Sequence, residues 1–157
     1  MDINAIAPTG TGKTCAFGIP MLEYVQLQDH RVQEVVLAPT RELAVQIGEE
    51  LTELARFIRG VRIAVLYGGQ SMSKQISALR RKPQIVIATP GRLLDHIRRR
   101  NLTLSAVHTM VLDEADEMLN MGFVKDVTAI MDMTPPDRQL VLFSATTNRD
   151  VLTIAWK

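Results

Sequence analysis

Four carboxylates follow a short apolar run in the stretch VLDEADEML, residues 111–119: Asp113, Glu114, Asp116 and Glu117. The first polar residue after a buried strand can hold a Mg²⁺ ion that bridges phosphate groups. A carboxylate beside that ion can orient and deprotonate an attacking water. These residue types predict metal binding for Asp113 and water activation for Glu114. Acids that complement the dipole of a helix N-terminus are the alternative, which we favour for Glu117.

The glycine-rich stretch PTGTGKT, residues 8–14, offers a partner for these acids. A glycine-rich turn that leads into a helix presents successive N–H groups to phosphate oxygens. Lys13 would reach the outer phosphates, and Thr14 would supply a hydroxyl to Mg²⁺. The match to the phosphate-loop pattern is not strict, because Ala7 stands at the first glycine position. An ordinary turn with glycines at positive φ is the alternative, although such a turn has no need of Gly-Lys-Thr together.

Six short apolar runs indicate the strands that would position these residues. They are INAIA (3–7), VVLA (35–38), VRIAVL (61–66), QIVIA (84–88), TMVL (109–112) and QLVLF (139–143). The runs lack polar alternation, as expected of strands that are covered on both faces.

Segments of helical period lie between the strands. The clearest spans about 41–58, where apolar residues repeat at spacings of three and four. Further helices are predicted near 14–28, 73–80, 92–100, 123–131 and 149–156. Pro20 should kink or weaken the first of these. The alternation predicts an α/β fold with a mostly parallel central sheet and helices on both faces. Ligands of such sheets lie beyond the carboxyl ends of the strands.

The composition sets few further limits. The chain has 157 residues with 18 Lys and Arg against 17 Asp and Glu, so a basic binding site must be local. One domain is expected at this length. Cys15 is the only cysteine, which excludes an internal disulfide. Because no apolar run approaches the roughly 18 residues of a membrane span, we expect no membrane partner and, by default, a cytoplasmic location. We also expect a monomer.

Other strand ends carry polar residues too. Ser144 and Thr146 in SAT, two apart on a strand, would project to one face and could meet Asp116. PTRELA (39–44), YGG (67–69) and TPGR (89–92) follow three further strands. Thr, Arg, small glycines and helix-starting N–H groups can hold a sugar-phosphate backbone without reading bases. Each motif alone is weak, since Thr40 also fits a helix N-cap.

Taken together, APTGTGKT, PTRELA, GG, TPGR, DEAD and SAT resemble, in order and approximate spacing, the first RecA-like domain of DEAD-box ATP-dependent RNA helicases. The resemblance covers nearly the whole chain, which we interpret as a single domain, 1–157. It implies a RecA-like P-loop NTPase fold with ATP and Mg²⁺ as cofactors.

The resemblance also implies site residues. ATP phosphates would be bound by Thr9, Gly10, Thr11, Gly12, Lys13 and Thr14, with Thr14 and Asp113 at the metal, partly through water. Lys13, Asp113 and Glu114 would act in catalysis, and Asp116, Ser144 and Thr146 in coupling hydrolysis to RNA remodelling. The RNA backbone would contact Pro39, Thr40, Arg41, Gly68, Gly69, Thr89, Pro90, Gly91 and Arg92.

Some parts of the family pattern are not in this sequence. The upstream Gln and aromatic residue that select adenine, and the second RecA-like domain with its transition-state arginines, lie outside it. Thr147 and Asn148 stand where Met and Pro are usual in the family. We therefore expect helicase activity of the parent protein, and weak nucleotide binding with little activity of this chain in isolation.

Two other functions remain open. One is a different P-loop nucleotide hydrolase, although the sequence offers no Asn-Lys-x-Asp motif for guanine. The other is a non-catalytic RNA-binding or scaffold module of the same fold. We expect the basic runs 80–82 and 98–100 to lie at helix ends and to point into water. We expect no zinc site, because the three histidines lack the spacing of zinc ligands.

Overall fold

The computed structural model describes residues 3–6 and 12–145, in which strands and helices alternate. The strands are β1 (Ile3–Ile6), β2 (Glu34–Leu37), β3 (Ile63–Leu66), β4 (Ile85–Ala88), β5 (Thr109–Leu112) and β6 (Gln139–Ser144). The helices are α1 (Gly12–Tyr24), α2 (Arg41–Ala55), α3 (Met72–Arg80), α4 (Pro90–Arg98), α5 (Ala115–Asn120) and α6 (Val124–Asp132). The helix predicted near 149–156 lies outside the described residues.

The six strands form one sheet in the order β1-β6-β5-β2-β4-β3, and every described pairing is parallel. Because all strands point the same way, their ends define two edges. We call the edge at which the strands end the carboxyl edge, and the edge at which they begin the amino edge. The parallel sheet predicted from the apolar runs is confirmed.

Helices cover both faces of the sheet, as predicted. On one face, α1 and α2 pack through Phe17, Ile47 and Leu51 against alternate strand residues such as Val36 and Val111. The other face packs against α3, α4, α5 and α6, whose contributions are Leu79, Leu93, Met118 and Ile130. Burial on both faces explains why the strands are mostly apolar: all four residues of β4 and of β5 are buried.

Two details of the helices differ from the sequence pattern. Helix α1 continues across Pro20 to Tyr24, so the proline does not end it. Helix α5 is not among the helices predicted from hydrophobic period, because its six residues are too few to show one, although the helix-dipole interpretation of Glu117 implied a helix start here. It begins after Glu114 and directs the DEAD residues around the carboxyl edge.

Candidate functional site

Lys13 and Asp113 meet at the carboxyl edge of the sheet. Lys13 lies in the first turn of α1, and Asp113 is the first residue after β5. The Lys13 Nζ atom is 2.6 Å from Asp113 Oδ1, and both side chains are almost fully buried. A buried charge is tolerated when an opposite charge and hydrogen bonds compensate it. The fold thus brings together the cation predicted for phosphate and the carboxylate predicted for metal.

The contacts of Asp113 leave one carboxylate oxygen for a further ligand. Its Oδ1 atom also accepts a hydrogen bond from the Glu114 backbone N–H at 2.9 Å. Its Oδ2 atom is buried and has no hydrogen-bond partner among the described residues. An unpartnered carboxylate oxygen fits a hard cation such as Mg²⁺. Thr14, next to Lys13 in α1, is buried as well.

Glu114 occupies a strained backbone position. Its φ of 51° and ψ of 51° are left-handed, which is rare for residues other than glycine and occurs at functional sites. The turn sends the chain from β5 into α5. Burial raises the pKa of the half-buried Glu114 carboxyl, the Lys13 ammonium opposes this rise, and the acids at 113, 116 and 117 add to it. A carboxyl with a raised pKa is a better proton acceptor near neutral pH.

A cavity of about 330 Å³ opens beside these residues and collects side chains from four strand ends. Its lining consists of Lys13, Thr40, Glu114, Asp116, Glu117, Ser144 and Ala145. Asp116 and Ser144, which the sequence predicts to meet, therefore face one space. Glu117, interpreted as helix decoration, is exposed in the first turn of α5 and also lines the cavity. Thr9, Gly10, Thr11 and Thr146 lie outside the described residues.

Thr40 and Arg41 begin α2 at the same edge. The Thr40 hydroxyl accepts a hydrogen bond from the Leu43 backbone N–H at 3.2 Å, so the N-cap considered from the sequence is present. Pro39, before it, is buried. The exposed Arg41 guanidinium lies over the ring of Tyr67, 5.0 Å from its centroid. This cation–π contact links the loops that follow β2 and β3.

The glycines of the YGG segment are exposed in the loop after β3. Gly69 has a φ of 94°, and a Cβ atom there would lie 3.3 Å from an Arg41 guanidinium nitrogen. Gly68 has open space around it. Only glycine adopts the Gly69 conformation without strain. The backbone alone therefore explains why position 69 is a glycine, apart from any ligand.

The TPGR segment starts α4 after β4. Thr89 is the N-cap but makes no side-chain capping bond, and Pro90 fills the first helical position. Gly91 is exposed, and Arg92 is half-buried. The Thr89 hydroxyl and the first N–H groups of α4 are therefore not used for a side-chain cap.

Buried polar residues that the sequence did not single out connect these loops. Gln75 Nε2 donates to the Tyr67 carbonyl at 2.7 Å, and Gln75 Oε1 accepts from Arg92 at 3.4 Å. Gln75 Oε1 also lies 2.7 Å from Nε2 of the fully buried His96, whose Nδ1 meets the Asn101 amide at 3.0 Å. Gln75 lies four residues before Leu79, on the same buried face of α3. An amide at this core-facing position is the sequence signal that could have identified the network.

The basic runs 80–82 and 98–100 lie at the ends of α3 and α4 and are exposed, as predicted. Arg80 and Arg98 end α3 and α4, as expected for cations at helix C-termini. Within residues 3–6 and 12–145, no group of three or more His, Cys, Asp or Glu could hold a metal ion. This does not conflict with a Mg²⁺ site that uses one carboxylate and the phosphates of a substrate.

Comparison with known proteins decides the family. A sequence profile described as DEAD/DEAH box helicase matches residues 1–154. The chain belongs to the DEAD/DEAH box helicase family. It is 53% identical over 145 residues to the DEAD-box ATP-dependent RNA helicase CshA of Geobacillus kaustophilus (strain HTA426), and the match covers 92% of this chain and 31% of that protein. It is 50% identical over 154 residues to the helicase of the same name from Bacillus licheniformis, with 98% and 31% covered.

Solved structures agree with the family in fold. A crystal structure of a DEAD box protein from Methanococcus jannaschii has a TM-score of 0.92 at 46% identity, covering 99% of this chain and 42% of that chain. A hypothetical ATP-dependent RNA helicase from Sulfolobus tokodaii gives 0.89 at 35% identity, with 99% and 44% covered. The RecA-like α/β fold is confirmed. The chain spans less than a third of the curated relatives it matches.

Among the helices in the described part of the chain, none is both long and apolar enough to cross a bilayer.

Proposed function

We propose that this chain is the ATP-binding half of an RNA helicase motor, which couples ATP hydrolysis to local RNA duplex unwinding or to remodelling of RNA–protein complexes. The convergence of Lys13 and Asp113 at 2.6 Å carries the proposal. A cation that would bind phosphate thus lies next to a carboxylate that would hold metal, at the carboxyl edge, where α/β sheets bind ligands.

The carboxyl-edge residues would divide the work on ATP. Lys13 and the backbone of residues 9–12 would bind the phosphates, and Asp113 and Thr14 would hold Mg²⁺, partly through water. When bound, Mg²⁺ neutralises charge on the phosphates and orients them. Glu114 would accept the proton of the attacking water, since its raised pKa and its position beside Asp113 suit a general base.

The loops after β2, β3 and β4 would hold RNA. The residues proposed to contact RNA lie along the carboxyl edge. The exposed ones are Arg41, Gly68, Gly69 and Gly91, and the Thr89 hydroxyl makes no capping bond. The others are Pro39, Thr40, Pro90 and Arg92. Contacts of this kind go to phosphate and sugar, so the RNA sequence should matter little. The links from Arg41 to Tyr67, and through Gln75 to Arg92, would fix the three loops relative to one another.

Asp116, Ser144 and Thr146 would couple the two ligands. Asp116 and Ser144 line the cavity beside Glu114 and Thr40, between the proposed hydrolysis site and the proposed RNA surface. A change around the phosphates could therefore reach the RNA loops through these side chains. Cytoplasmic location and a monomeric state stay predictions.

The second RecA-like domain of the parent is part of the proposal, because transition-state arginines would come from it. We expect the two-domain parent to hydrolyse ATP faster when single- or double-stranded RNA is added. The isolated chain should bind Mg-ATP weakly and turn it over hardly at all. The two proteins should be compared in one steady-state phosphate-release assay, with and without RNA.

The outcomes separate the open alternatives. RNA binding by the parent without ATP turnover would indicate the scaffold module. Much tighter binding of GTP than of ATP would indicate another P-loop hydrolase. RNA-stimulated turnover by the isolated chain at the rate of the parent would show that the second domain is dispensable, contrary to the proposal.

A further inference from the structure

A second cavity lies at the opposite, amino edge of the sheet, beneath α1. Its volume is about 290 Å³, and Phe17, Pro20, Met21 and Tyr24 of α1 form one wall. The sheet forms the floor. Among the described residues proposed to bind ATP or RNA, none lines this cavity, so it stands apart from the function proposed above.

Three polar side chains form a row on the cavity floor. Glu34, Thr109 and Gln139 are the first residues of β2, β5 and β6, and all three line the cavity. Glu34 pairs in register with Thr109, and Thr109 with Gln139. Neighbouring strands are about 4.8 Å apart, so the three side chains stand side by side. The remaining floor is apolar, with Val111, Val141 and Phe143.

Glu34 has no partner within the described part of the chain. The residue is 0% exposed, and neither carboxylate oxygen has a hydrogen-bond partner there. The hydroxyl of Thr109, its neighbour in register, instead pairs with Nδ1 of His108 at 2.8 Å. Of the described residues that line the cavity, Tyr24 is the only other one with a titratable group. Burial alone raises the pKa of Glu34 to about 8.

An unpartnered buried carboxylate in an apolar cavity is costly to a fold. A cation brought by a ligand would offset this cost, and the chemistry of the cavity indicates which cation. The two free oxygens match the parallel N–H groups of a guanidinium, and the Gln139 amide can accept from a further N–H. Apolar residues of α1 would cover a methylene stem, as they cover the stems of long basic side chains elsewhere.

We propose that this cavity binds the side chain of an arginine, presented by a polypeptide segment that packs along α1. A polypeptide suits the rim, because Tyr24 is 65% exposed at the mouth of the cavity and would be covered by a packed segment. The segment would place its guanidinium against Glu34 and its apolar neighbours against Tyr24 and Pro20.

The test uses a matched pair of probes on this chain. Nα-acetyl-arginine N-methylamide carries the guanidinium, and the citrulline analogue is a neutral isostere. Binding is followed by NMR chemical shifts of residues in β2, β5 and α1 at pH 6.0, 7.0 and 8.5. At pH 8.5 we expect the arginine probe to bind at least about tenfold more tightly than the citrulline probe, as for a charge-assisted pair.

The pH dependence gives a second readout. Because the arginine probe needs the ionised carboxylate, its affinity should fall about tenfold between pH 7.0 and 6.0, below a pKa of about 8. The citrulline probe should show no such fall. Glu34→Gln should remove the difference between the probes, whereas Glu23→Gln, an exposed carboxylate on α1, should preserve it.

Several outcomes would overturn the proposal. Equal affinity for the two probes at pH 8.5 would do so, as would shifts confined to residues outside the cavity. Binding of benzamidine in the cavity without binding of the arginine probe would assign it to a small aromatic cation instead. If Glu34→Gln fails to fold, the probe pair and the pH series on the unaltered chain still decide the question.

Discussion

Two fully buried carboxylates lie at opposite edges of the sheet, Asp113 at the carboxyl edge and Glu34 at the amino edge. They belong to neighbouring strands, since Asp113 follows β5 and Glu34 starts β2. Asp113 has the Lys13 ammonium at 2.6 Å and a backbone N–H at 2.9 Å. Glu34 has neither an ion pair nor a hydrogen bond in the ranges that the structure describes, and its pKa is raised to about 8.

The difference shows that the surroundings decide whether a buried carboxylate is paired, as Asp113 is, or isolated with a raised pKa, as Glu34 is. At the carboxyl edge, the helix that follows β1 supplies a cation, and the turn after β5 supplies a backbone donor. The described residues that line the cavity at the amino edge offer Glu34 apolar and neutral polar neighbours. The carboxyl edge thus supplies its own compensating groups for Asp113. In the proposal above, the compensating cation for Glu34 comes from a partner.

The largest expected effect tests whether chemistry is confined to the carboxyl edge. Glu114→Gln in the two-domain parent should keep ATP binding and lower the RNA-stimulated turnover number about 10²- to 10⁴-fold, the range for loss of a general base. Glu34→Gln, a matched change at the amino edge, should leave turnover at the level of the unaltered protein. Single-site ATPase assays measure both. Unchanged turnover in Glu114→Gln would contradict the assigned role.

The next effect concerns the stability of the paired carboxylate. Lys13→Met removes the cation and leaves a buried charge, which should lower the free energy of unfolding by about 3–5 kcal/mol. Lys125→Met, at an exposed lysine, should change it by less than about 0.5 kcal/mol. Urea denaturation of this chain at pH 7 compares them. Equal stability of the two variants would show that the pair at 2.6 Å contributes little.

The ionised, unpaired carboxylate of Glu34 should destabilise the fold, whereas the paired carboxylate of Asp113 should not. The pKa of Glu34 is about 8 in the folded state against an ordinary value of 4.5, so the folded state holds the proton more tightly. Its contribution to stability is therefore greatest below pH 4.5, falls as the pH rises, and levels off above 8. At pH 7 the cumulative loss is about 3 kcal/mol.

Glu34→Gln should remove that pH dependence. Urea denaturation at pH 5, 7 and 8.5 should show the stability of the unaltered chain falling relative to that of the variant. Parallel pH profiles for the two proteins would mean that Glu34 does not titrate in this range. A paired Glu34 would then be the simplest explanation, and the comparison with Asp113 would lose its basis.

The smallest expected effect concerns the helix that borders the carboxyl edge. Thr40→Ala removes the bond to the Leu43 N–H and should cost about 1 kcal/mol. Ser71 caps α3 in the same way, accepting from the Lys74 N–H at 3.2 Å, and Ser71→Ala should cost a similar amount. A thermal or urea unfolding series detects both losses. No loss in Thr40→Ala alone would mean that the Thr40 hydroxyl serves another contact.

The sequence predicted the strands well because burial on both faces makes each one a continuous apolar run. β2 nevertheless begins at Glu34, one residue before the predicted run. The prediction left this residue out because a carboxylate is not expected inside a sheet. That misplacement also hid the amino-edge cavity. The meeting of Lys13 with Asp113 could be anticipated, because both follow strands whose carboxyl ends share one edge.

The rest depended on contacts that local patterns do not encode. His96 and Gln75 lie 21 residues apart, and their bond exists only because α3 and α4 pack together. The left-handed backbone of Glu114 has no glycine or asparagine to announce it. Such features follow from tertiary packing, which overrides local preference.

The central claim is that Lys13 and Asp113 form a Mg-nucleotide site, and a binding titration tests it most directly. ATP should be titrated calorimetrically into this chain and its Asp113→Asn variant, each with and without Mg²⁺, with Glu34→Gln as the control. We predict that Mg²⁺ tightens ATP binding to the unaltered chain and to Glu34→Gln, but not to Asp113→Asn. Equal tightening by Mg²⁺ in Asp113→Asn would contradict the account.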